Sequence, residues 1–315
     1  MPKILAADIG GTNSRFAIFE TDGNGRLDIA ESLWLKTHEA ESFDQLLGQL
    51  RDNGFPICPG EYDSAALAVA GAVWHGVLCR KPPNMPFSID LRETDLGVER
   101  ACLVNDFCAQ AYACRTSAVD EAVVLQDGEH DDLGVIGVIG AGTGLGYSGL
   151  IRGETRWTAL ASEGGHMAFP FVGKEEAEYA EFNRRESGRC WPEGDTVVTG
   201  LGLQLVHRFL TGENLEPQEV AARLAPDCET TKWFARFYGR ACRDWAIGLM
   251  AHGGMYIAGG VAARNPILVQ SPEFLKEFHN THVYGDFLRS VPVKLNANEE
   301  SGLFGAAFYG MQLLG

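Results

Sequence analysis

Two glycine-rich turns in this chain have the composition of phosphate-binding loops. The first is DIGGTN, Asp8 to Asn13, which follows the apolar run KILAA, and the second is GAGTGLG, Gly140 to Gly146. Successive backbone N–H groups in such turns form a concave site for an anion. A tight hairpin with Gly10 and Gly11 at positive φ explains the first motif equally well when it is taken alone. The two turns by themselves therefore leave a structural and a phosphate-binding interpretation open.

The spacing within the second turn excludes two familiar nucleotide motifs. Leu145 and Tyr147 fall where a G-x-G-x-x-G fingerprint needs its third glycine, and no G-K-[ST] follows as in a Walker loop. A second hairpin is the simple explanation. Close approach of the backbone to a ligand accounts better for four glycines and a threonine in one turn.

Polar residues and glycines also follow other apolar runs. Asp106, in VNDF, is predicted at a junction of strand and helix, where either Asn105 or Asp106 caps the helix or Asp106 acts as a general base. Glu163 and His166 flank the glycines of EGGH and can face one polar ligand, although a single histidine beside Met and Phe is more often a half-buried structural residue. Gly259 and Gly260 end the run GMYIAGG and suit either a flat adenine or plain packing of a helix on a strand.

The elements that must position these motifs alternate between strand and helix patterns. Apolar runs predict strands at KILAAD, SRFAIFE, LDIAESLWL, SAALAVAGA, WHGVLC, RACLVND and GMYIAGG, and one on each side of the glycine turn in LGVIGVIGAGTGLGYSGLI. Helical spacing is found in SFDQLLGQLRDNG, which Ser42 can cap and Gly54 can end, in FCAQAYACR, near 174–188, 201–211 and 230–251, and in the last residues SGLFGAAFYGMQLL. Since open α/β sheets bind ligands beyond the carboxyl ends of their strands, the motifs lie where a ligand is expected.

Composition restricts the class of partner. The chain has 315 residues, of which 45% are hydrophobic, and this length is typical of roughly two globular domains. A formal charge of −16 argues against a nucleic-acid or anionic-membrane surface, which needs a basic face. Salt screens that charge beyond about 10 Å, so local amide dipoles and a metal ion can still bind a phosphate.

Cysteine usage and hydropathy indicate a cytoplasmic protein. The eight cysteines form no C-x-x-C pair, which favours reduced and mostly buried thiols. The N-terminus has no extended apolar region, and no run approaches the ~18 apolar residues of a membrane helix. We therefore predict a cytoplasmic location with neither a membrane nor a nucleic acid as partner.

The motifs become specific when they are taken together and in order. DIGGTNSR, VNDF, GAGTGLG, EGGH and IAGG resemble the bacterial glucokinases of the hexokinase/actin/Hsp70 ATPase superfamily over nearly the whole chain. The resemblance implies an α/β fold, namely the two-domain actin-like ATPase (ribonuclease H-like) fold with a ligand cleft between the domains. It implies a smaller domain of residues 1–108 plus 299–315 and a larger domain of residues 109–298.

The resemblance also implies a role for each matching residue. Asp106 would be the catalytic base, and Asp8 would hold Mg²⁺ through water. The residues implied to bind sugar hydroxyls are Asn105, Asp106, Glu163, His166 and Asp195. Those implied to bind ATP or its phosphates are Asp8, Gly10, Gly11, Thr12, Asn13, Gly140, Gly142, Thr143, Gly144, Gly259 and Gly260.

Two positions depart from the family pattern. Asp195, four residues before TGLGL, stands where the family typically has Glu, and Phe87 in NMPFSID stands where it has Trp. The implied reaction is transfer of the ATP γ-phosphoryl group to the 6-OH of D-glucose. The departures leave open a kinase of fructose, mannose or an amino sugar, and a non-catalytic sugar-sensing regulator is a further alternative. The sequence also leaves open whether the chain forms a homodimer.

Overall fold

The computed structural model describes residues 1–22, 25–57, 60–82 and 84–315. In chain order the strands are β1 (Lys3–Ile9), β2 (Asn13–Thr21), β3 (Leu27–Lys36), β4 (Ser64–Val69), β5 (Val73–Trp74), β6 (Leu78–Cys79), β7 (Ile89–Asp90), β8 (Ala101–Asn105), β9 (Val123–Gln126), β10 (Ile136–Ala141), β11 (Leu145–Arg152), β12 (Trp157–Ser162), β13 (Gly254–Ala258) and β14 (Val293–Leu295). The helices are α1 (Phe43–Asp52), α2 (Asp106–Ala113), α3 (Gly173–Ser187), α4 (Gly194–Val197), α5 (Gly200–Thr211), α6 (Pro217–Ala221), α7 (Glu229–Leu249), α8 (Gly260–Arg264), α9 (Ile267–Gln270), α10 (Pro272–Phe278), α11 (Gly285–Ser290) and α12 (Ser301–Gln312).

The chain forms two compact units, which are described separately. The first unit comprises Met1–Glu121, Gly153–Ala161 and Asn298–Gly315, and the second comprises Ala122–Arg152 and Ser162–Ala297. The domains expected from the resemblance, 1–108 plus 299–315 and 109–298, stay a prediction.

The first unit is built on a sheet with the strand order β3-β2-β1-β4-β8. β1 and β2 form the predicted antiparallel hairpin, while β4 lies parallel to both β1 and β8. In this register Ile9 lies beside Val69, and Val69 lies beside Asn105. The carboxyl ends of three parallel strands therefore share one edge of the sheet, next to the DIGGTN turn.

Helix α12 packs closely on the first unit. A Cβ added to Gly305 would lie 1.7 Å from the carbonyl oxygen of Ala109 in α2, and one added to Gly310 would lie 2.6 Å from Ile4 of β1. Only glycine permits such close approach of two backbones. The C-terminal helix is thereby held against the strand that leads into the first glycine turn.

Helix α1 forms as the sequence predicts. The hydroxyl of Ser42 accepts a hydrogen bond from the N–H of Gln45, which satisfies one of the free N–H groups at the helix start. Its buried residues are Phe43, Leu46, Leu47 and Leu50, which share one face at helical spacing. Gly54, at φ 80°, follows its end.

The second unit contains the neighbouring strands β11, β10, β13, β14 and β9, in that order. β10 is antiparallel to β11 and parallel to β13, so that Gly140 lies beside Gly146 on one side and Ala258 on the other. The buried hydroxyl of Tyr238 in α7 accepts a hydrogen bond from the N–H of Ala141. This bond ties the end of β10, where the second glycine turn begins, to the longest helix of the unit.

The structure differs from the sequence prediction in its short strands and in the short helices α4, α6, α9, α10 and α11, which were not predicted. WHGVLC was expected to be one strand, but it spans parts of β5 and β6, joined by a turn in which His75 and Gly76 have positive φ. The sequence also missed β7, β9, β12 and β14, which run from two to six residues. β7 and β14, of two and three residues, are too short to show a period.

The structure also bears on the expectations for the cysteines and for membrane-spanning helices. The cysteines that the structure describes are free thiols, and most are buried, with Cys190 exposed. Among the described helices, the combination of length and apolar character that crossing a bilayer requires is not found.

Candidate functional site

The first glycine turn is not held by positive φ, so that expectation for Gly10 and Gly11 was wrong. The N–H of Gly10 donates to the carbonyl oxygen of Asn13, which closes the turn. A Cβ on Gly11 would lie 2.7 Å from Cβ of Asn84, whereas a Cβ on Gly10 would meet, among the described residues, only the Asn13 oxygen, at 3.4 Å. Packing explains the glycine at 11. Neither packing nor φ explains the one at 10, which leaves an open face suited to a ligand.

The second glycine turn also has an open face, at Gly142. The N–H of Gly142 donates to the carbonyl oxygen of Gly144, while Thr143 and Gly144 are exposed. Gly142 lies outside the positive-φ region, and a Cβ there would meet nothing nearer than the Gly144 oxygen, at 3.9 Å. The carbonyl oxygen of Gly142 accepts a bond from the N–H of Gly200, at the start of α5. The turn is thus anchored on one side and open on the other, as a phosphate cradle requires.

Asp8 is half-buried at the end of β1, and burial raises the pKa of its carboxyl group while Arg15 opposes this rise. A Cβ on Gly302 would lie 2.5 Å from Oδ2 of Asp8, so the first turn of α12 packs against this carboxylate. Arg15 lies opposite Asp8 in the hairpin, donates to the carbonyl oxygen of Glu299, and lies 3.9 Å from the ring centre of Trp34. These contacts fix the carboxylate beside the first turn.

A cation that was not predicted from the sequence lies beside this turn. Lys36, the last residue of β3, lies opposite Asn13 in the sheet, and its Nζ donates to Oδ1 of Asn13 at 2.8 Å. The N–H of Thr37 donates to the carbonyl oxygen of Thr12, which joins the end of β3 to the turn. The sequence places Lys36 directly after the third predicted strand. It does not show how this strand pairs with β2, and so it does not show that Lys36 lies opposite Asn13.

At the end of β8 the structure separates the two roles proposed for VNDF. Asn105 is the cap: its side-chain oxygen accepts from the N–H groups of Phe107 and Cys108, and its Nδ2 donates to the carbonyl oxygen of Gly71. Asp106 is the first residue of α2, is half-buried, and accepts from the N–H of Phe107. Burial and then the charge of Asp106 raise the pKa of Cys79 to about 11. Asn105 therefore provides the cap, and the carboxylate of Asp106 adds one further bond to the N–H of Phe107 in the first turn.

In the second unit, the predicted residues Glu163, His166 and Asp195 lie together. Nδ1 of His166 is 3.5 Å from Oδ2 of Asp195, and Nε2 is 3.8 Å from Oε2 of Glu163. The side chains of His166 and Glu163 are 56% and 66% exposed, so the half-buried interpretation of this histidine was wrong. The structure therefore brings Asp195, whose side chain is 22% exposed, to the exposed pair of Glu163 and His166 from a later part of the chain, and the three form a polar cluster.

The glycines of EGGH make this cluster compact. A Cβ on Gly165 would lie 2.1 Å from the carbonyl oxygen of Leu145 and 2.5 Å from Oδ1 of Asp195. That same Oδ1 accepts a hydrogen bond from the N–H of Leu145, at 2.7 Å. Leu145 begins β11 directly after the second glycine turn. Asp195 thus connects the turn to the His166 loop.

A fourth group of the cluster was not predicted. Glu193 precedes α4 and forms a capping box with Thr196, and its Oε2 lies 3.5 Å from Nδ1 of His166. Its side chain is 14% exposed. The E-x-x-T spacing signals a helix cap, but nothing in the sequence signals proximity to His166.

Gly259 has a structural explanation. It has φ 84°, and a Cβ there would lie 2.5 Å from the carbonyl oxygen of Ala141. Gly260 begins α8, and a Cβ there would lie 2.6 Å from the guanidinium of Arg264. Both glycines follow β13 beside the end of β10, but their contact with adenine stays a prediction.

Phe87, which stands where the family has Trp, is buried in the core of the first unit. Among the residues that the structure describes, no cluster of three or more His, Cys, Asp or Glu is arranged to ligate a metal directly.

Comparison with known proteins identifies the family. The family model for glucokinase matches residues 5–313. This chain belongs to the glucokinase family. The glucokinase of Caulobacter sp. (strain K31) is 31% identical over 313 residues, which cover 96% of this chain and 93% of that protein.

Solved structures agree with this assignment. The crystal structure of glucokinase from an Antarctic psychrotroph superposes with a TM-score of 0.84 at 26% identity and covers 99% of each chain. A ROK family glucokinase from Streptomyces griseus, in complex with glucose and AMPPNP, superposes with a TM-score of 0.65 at 19% identity and covers 98% of this chain and 99% of that one. The second likeness shows the fold alone. The predicted actin-like ATPase fold is confirmed.

Proposed function

We propose that this protein is an ATP-dependent glucokinase, which transfers the γ-phosphoryl group of ATP to the 6-OH of D-glucose. The observation that carries the proposal is the carboxylate of Asp195, which bonds the N–H of Leu145 after the glycine turn and lies 3.5 Å from His166. The side chain of Asp195 therefore contacts both the end of the second glycine turn and a group of side chains that can accept hydrogen bonds from hydroxyls.

The cluster suits a sugar chemically. Glu163 and Asp195 offer carboxylate acceptors, and the imidazole of His166 offers one further acceptor or donor. A polyol carries many hydroxyl donors, and a site built to bond them rejects analogues that lack them. In the first unit, we propose that Asn105 and Asp106 bind further hydroxyls of the same substrate.

The proposed chemistry is in-line phosphoryl transfer. The sugar O6 forms a bond to the γ-phosphorus, the bond from that phosphorus to the bridging oxygen of ADP breaks, and Asp106 accepts the hydroxyl proton. Proton transfer to a positioned carboxylate contributes about 100- to 10,000-fold in rate. Most of the remaining catalysis in such transfers comes from positioning and from stabilising charge on the phosphoryl group.

The two turns, Asp8 to Asn13 and Gly140 to Gly146, are proposed to hold the nucleotide. Their N–H groups and the ammonium of Lys36 supply positive potential in a chain with a formal charge of −16. Asp8 contributes a single fixed carboxylate, which suits Mg²⁺, since this ion usually keeps several waters and binds one or two carboxylates and the phosphates. When bound, Mg²⁺ neutralises phosphate charge. We propose Gly259 and Gly260 as contacts of the adenine.

A panel of acceptors tests the function. Purified protein with Mg-ATP is assayed for ADP release with glucose, fructose, mannose and glucosamine, and the product is examined by ³¹P NMR. We expect the highest kcat/KM with glucose and a 6-phosphate product. A higher kcat/KM with another hexose would assign the protein to that sugar. The reason to test other hexoses is Asp195, which stands where the family typically has Glu. Thermal stabilisation by sugar without turnover would instead indicate a sensor.

Two secondary expectations accompany the proposal. A cytoplasmic location fits an enzyme that consumes ATP, and fractionation of the native host tests it. Light scattering on the purified protein decides between a monomer and the homodimer that the sequence left open.

A further inference from the structure

Glu193 holds a buried carboxylate oxygen whose hydrogen-bonding need is not met. Its Oε2 is buried and has no hydrogen-bond partner among the described residues, while the side chain serves the capping box of α4. Leaving a buried charged acceptor unbonded is costly, so each such group in a native structure calls for an explanation. Nδ1 of His166 lies 3.5 Å from this oxygen.

A second carboxylate oxygen faces the same nitrogen. Oδ2 of Asp195 also lies 3.5 Å from Nδ1 of His166. A lone pair on Nδ1 would face two carboxylates and repel both, whereas a proton on Nδ1 would be attracted by both. Oε2 of Glu193 has no hydrogen-bond partner among the described residues and belongs to the more buried side chain, 14% exposed against 22% for Asp195, so Glu193 is the carboxylate with the greater need for this proton.

From this arrangement we propose that Glu193 is a positioning residue that fixes the tautomer of His166, with the proton on Nδ1 and the lone pair on Nε2. Nε2 then accepts a hydrogen bond from a sugar hydroxyl. Glu163 lies 3.8 Å from Nε2, beyond hydrogen-bond distance, and its exposed side chain is screened by water. The tautomer follows from the contacts alone; the consequence for sugar binding rests on the proposed function.

The chain provides a matched control for the capping role of Glu193. Glu216 forms the same capping box at the start of α6, with Glu219 as its partner, and is exposed. A Glu→Gln change keeps the size and one capping oxygen at either position. Only at 193 does the new amide face an imidazole nitrogen. Since an amide NH₂ donates, Glu193→Gln is expected to move the proton of His166 to Nε2.

Long-range ¹H–¹⁵N spectra of the histidine rings at pH 8 test the proposal, with the His166 signals identified by loss in His166→Gln. We expect Nδ1–H in the wild type and in Glu216→Gln, and Nε2–H in Glu193→Gln. An Nε2–H tautomer in the wild type overturns the proposal, and so does an unchanged tautomer in Glu193→Gln. The wild-type spectrum decides alone if that variant does not fold.

Kinetics test the consequence for the sugar. Losing one hydrogen bond of about 1 kcal/mol corresponds to roughly a fivefold rise in KM for glucose. We expect this rise in Glu193→Gln with little change in kcat or in KM for ATP, and no rise in Glu216→Gln. A wild type without glucose-dependent turnover contradicts the proposed function, whereas the spectra still decide the tautomer.

Discussion

Asp195 and Leu145 are joined by a hydrogen bond of 2.7 Å between the backbone N–H of the leucine and one oxygen of the carboxylate. The other carboxylate oxygen is directed to His166, 3.5 Å away. Leu145 follows a turn whose Gly142 carries an open face, and His166 belongs to the polar cluster. A change at Asp195 should therefore affect the binding of both substrates, not the sugar alone.

Restoring the family's glutamate at this position tests how tightly the site is packed. We expect Asp195→Glu to raise KM for glucose by about tenfold, because an extra methylene in a filled space costs about 1–3 kcal/mol and the backbone of Gly165 already packs against Oδ1. Steady-state kinetics give the value, with the fully exposed Asp286→Glu as control. Tighter glucose binding would show instead that the shorter side chain limits affinity.

Asp106→Asn tests the catalytic base. Turnover should fall about 100- to 10,000-fold, because the amide cannot accept the hydroxyl proton. The fold should be retained, since Asn105 and not Asp106 caps α2. Rapid-quench measurements give the rate and calorimetry gives glucose affinity, which should stay measurable. Asp286→Asn serves as control, and turnover within tenfold of the wild type would rule out this role.

Gly142→Ala tests the phosphate cradle of the second turn. The methyl group meets no atom of the described residues nearer than 3.9 Å and φ is not positive, so we expect no loss of stability. The methyl group would occupy the space proposed for a phosphate. KM for ATP should therefore rise by at least about tenfold, which corresponds to a loss of about 1.4 kcal/mol in binding free energy.

Gly48→Ala is the control for this change. Gly48 lies inside α1, and a Cβ there also meets nothing within 4 Å. Alanine should stabilise the helix by about 0.5–1 kcal/mol and leave KM for ATP unchanged. Thermal melts and ATP titrations of both variants make the comparison. An unchanged KM in Gly142→Ala would remove the second turn from the ATP site.

Lys36→Met tests the cation beside the first turn. An exposed charge pair contributes up to about 1 kcal/mol, so KM for ATP should rise by roughly fivefold at low salt, and the difference should shrink as salt screens the phosphate. The highly exposed Lys174→Met is the control. If both variants keep the wild-type KM at low salt, Lys36 has no part in binding ATP.

Asp8→Asn should separate activity from stability. Burial raises the folded-state pKa of Asp8, so its contribution to stability is full at low pH and is lost as pH rises through that pKa. At pH 7 the ionised side chain costs stability, and Asp8→Asn should therefore melt above the wild type while losing turnover. The difference should vanish toward pH ~3.9, the ordinary aspartate value.

The exposed Asp28→Asn, which changes a carboxylate of the same sheet, should melt like the wild type throughout. Differential scanning calorimetry across this pH range provides the data. A lower melting temperature for Asp8→Asn at pH 7 would show that contacts of the charge with Arg15 outweigh the cost of burial.

Local sequence patterns predicted the long elements well. The hairpin of β1 and β2, the capped helix α1 and the glycine turn after β10 all form as expected, because each depends on neighbours within a few residues. The shortest strands were missed for the opposite reason. Segments such as Val293–Leu295 are strands only because a neighbouring strand pairs with them.

The sequence by itself determined which chemistry was available: two glycine turns, the asparagine and aspartate of VNDF, and the EGGH segment, in one order. Only the tertiary structure decided which side chains meet. Lys36 reaches Asn13 through strand register, and Glu193 reaches His166 because α4 packs beside the EGGH loop. The structure also showed that the glycine at 142 serves neither φ nor packing. Residue types and spacing are local properties, whereas distances between side chains arise from register and packing that the whole unit sets.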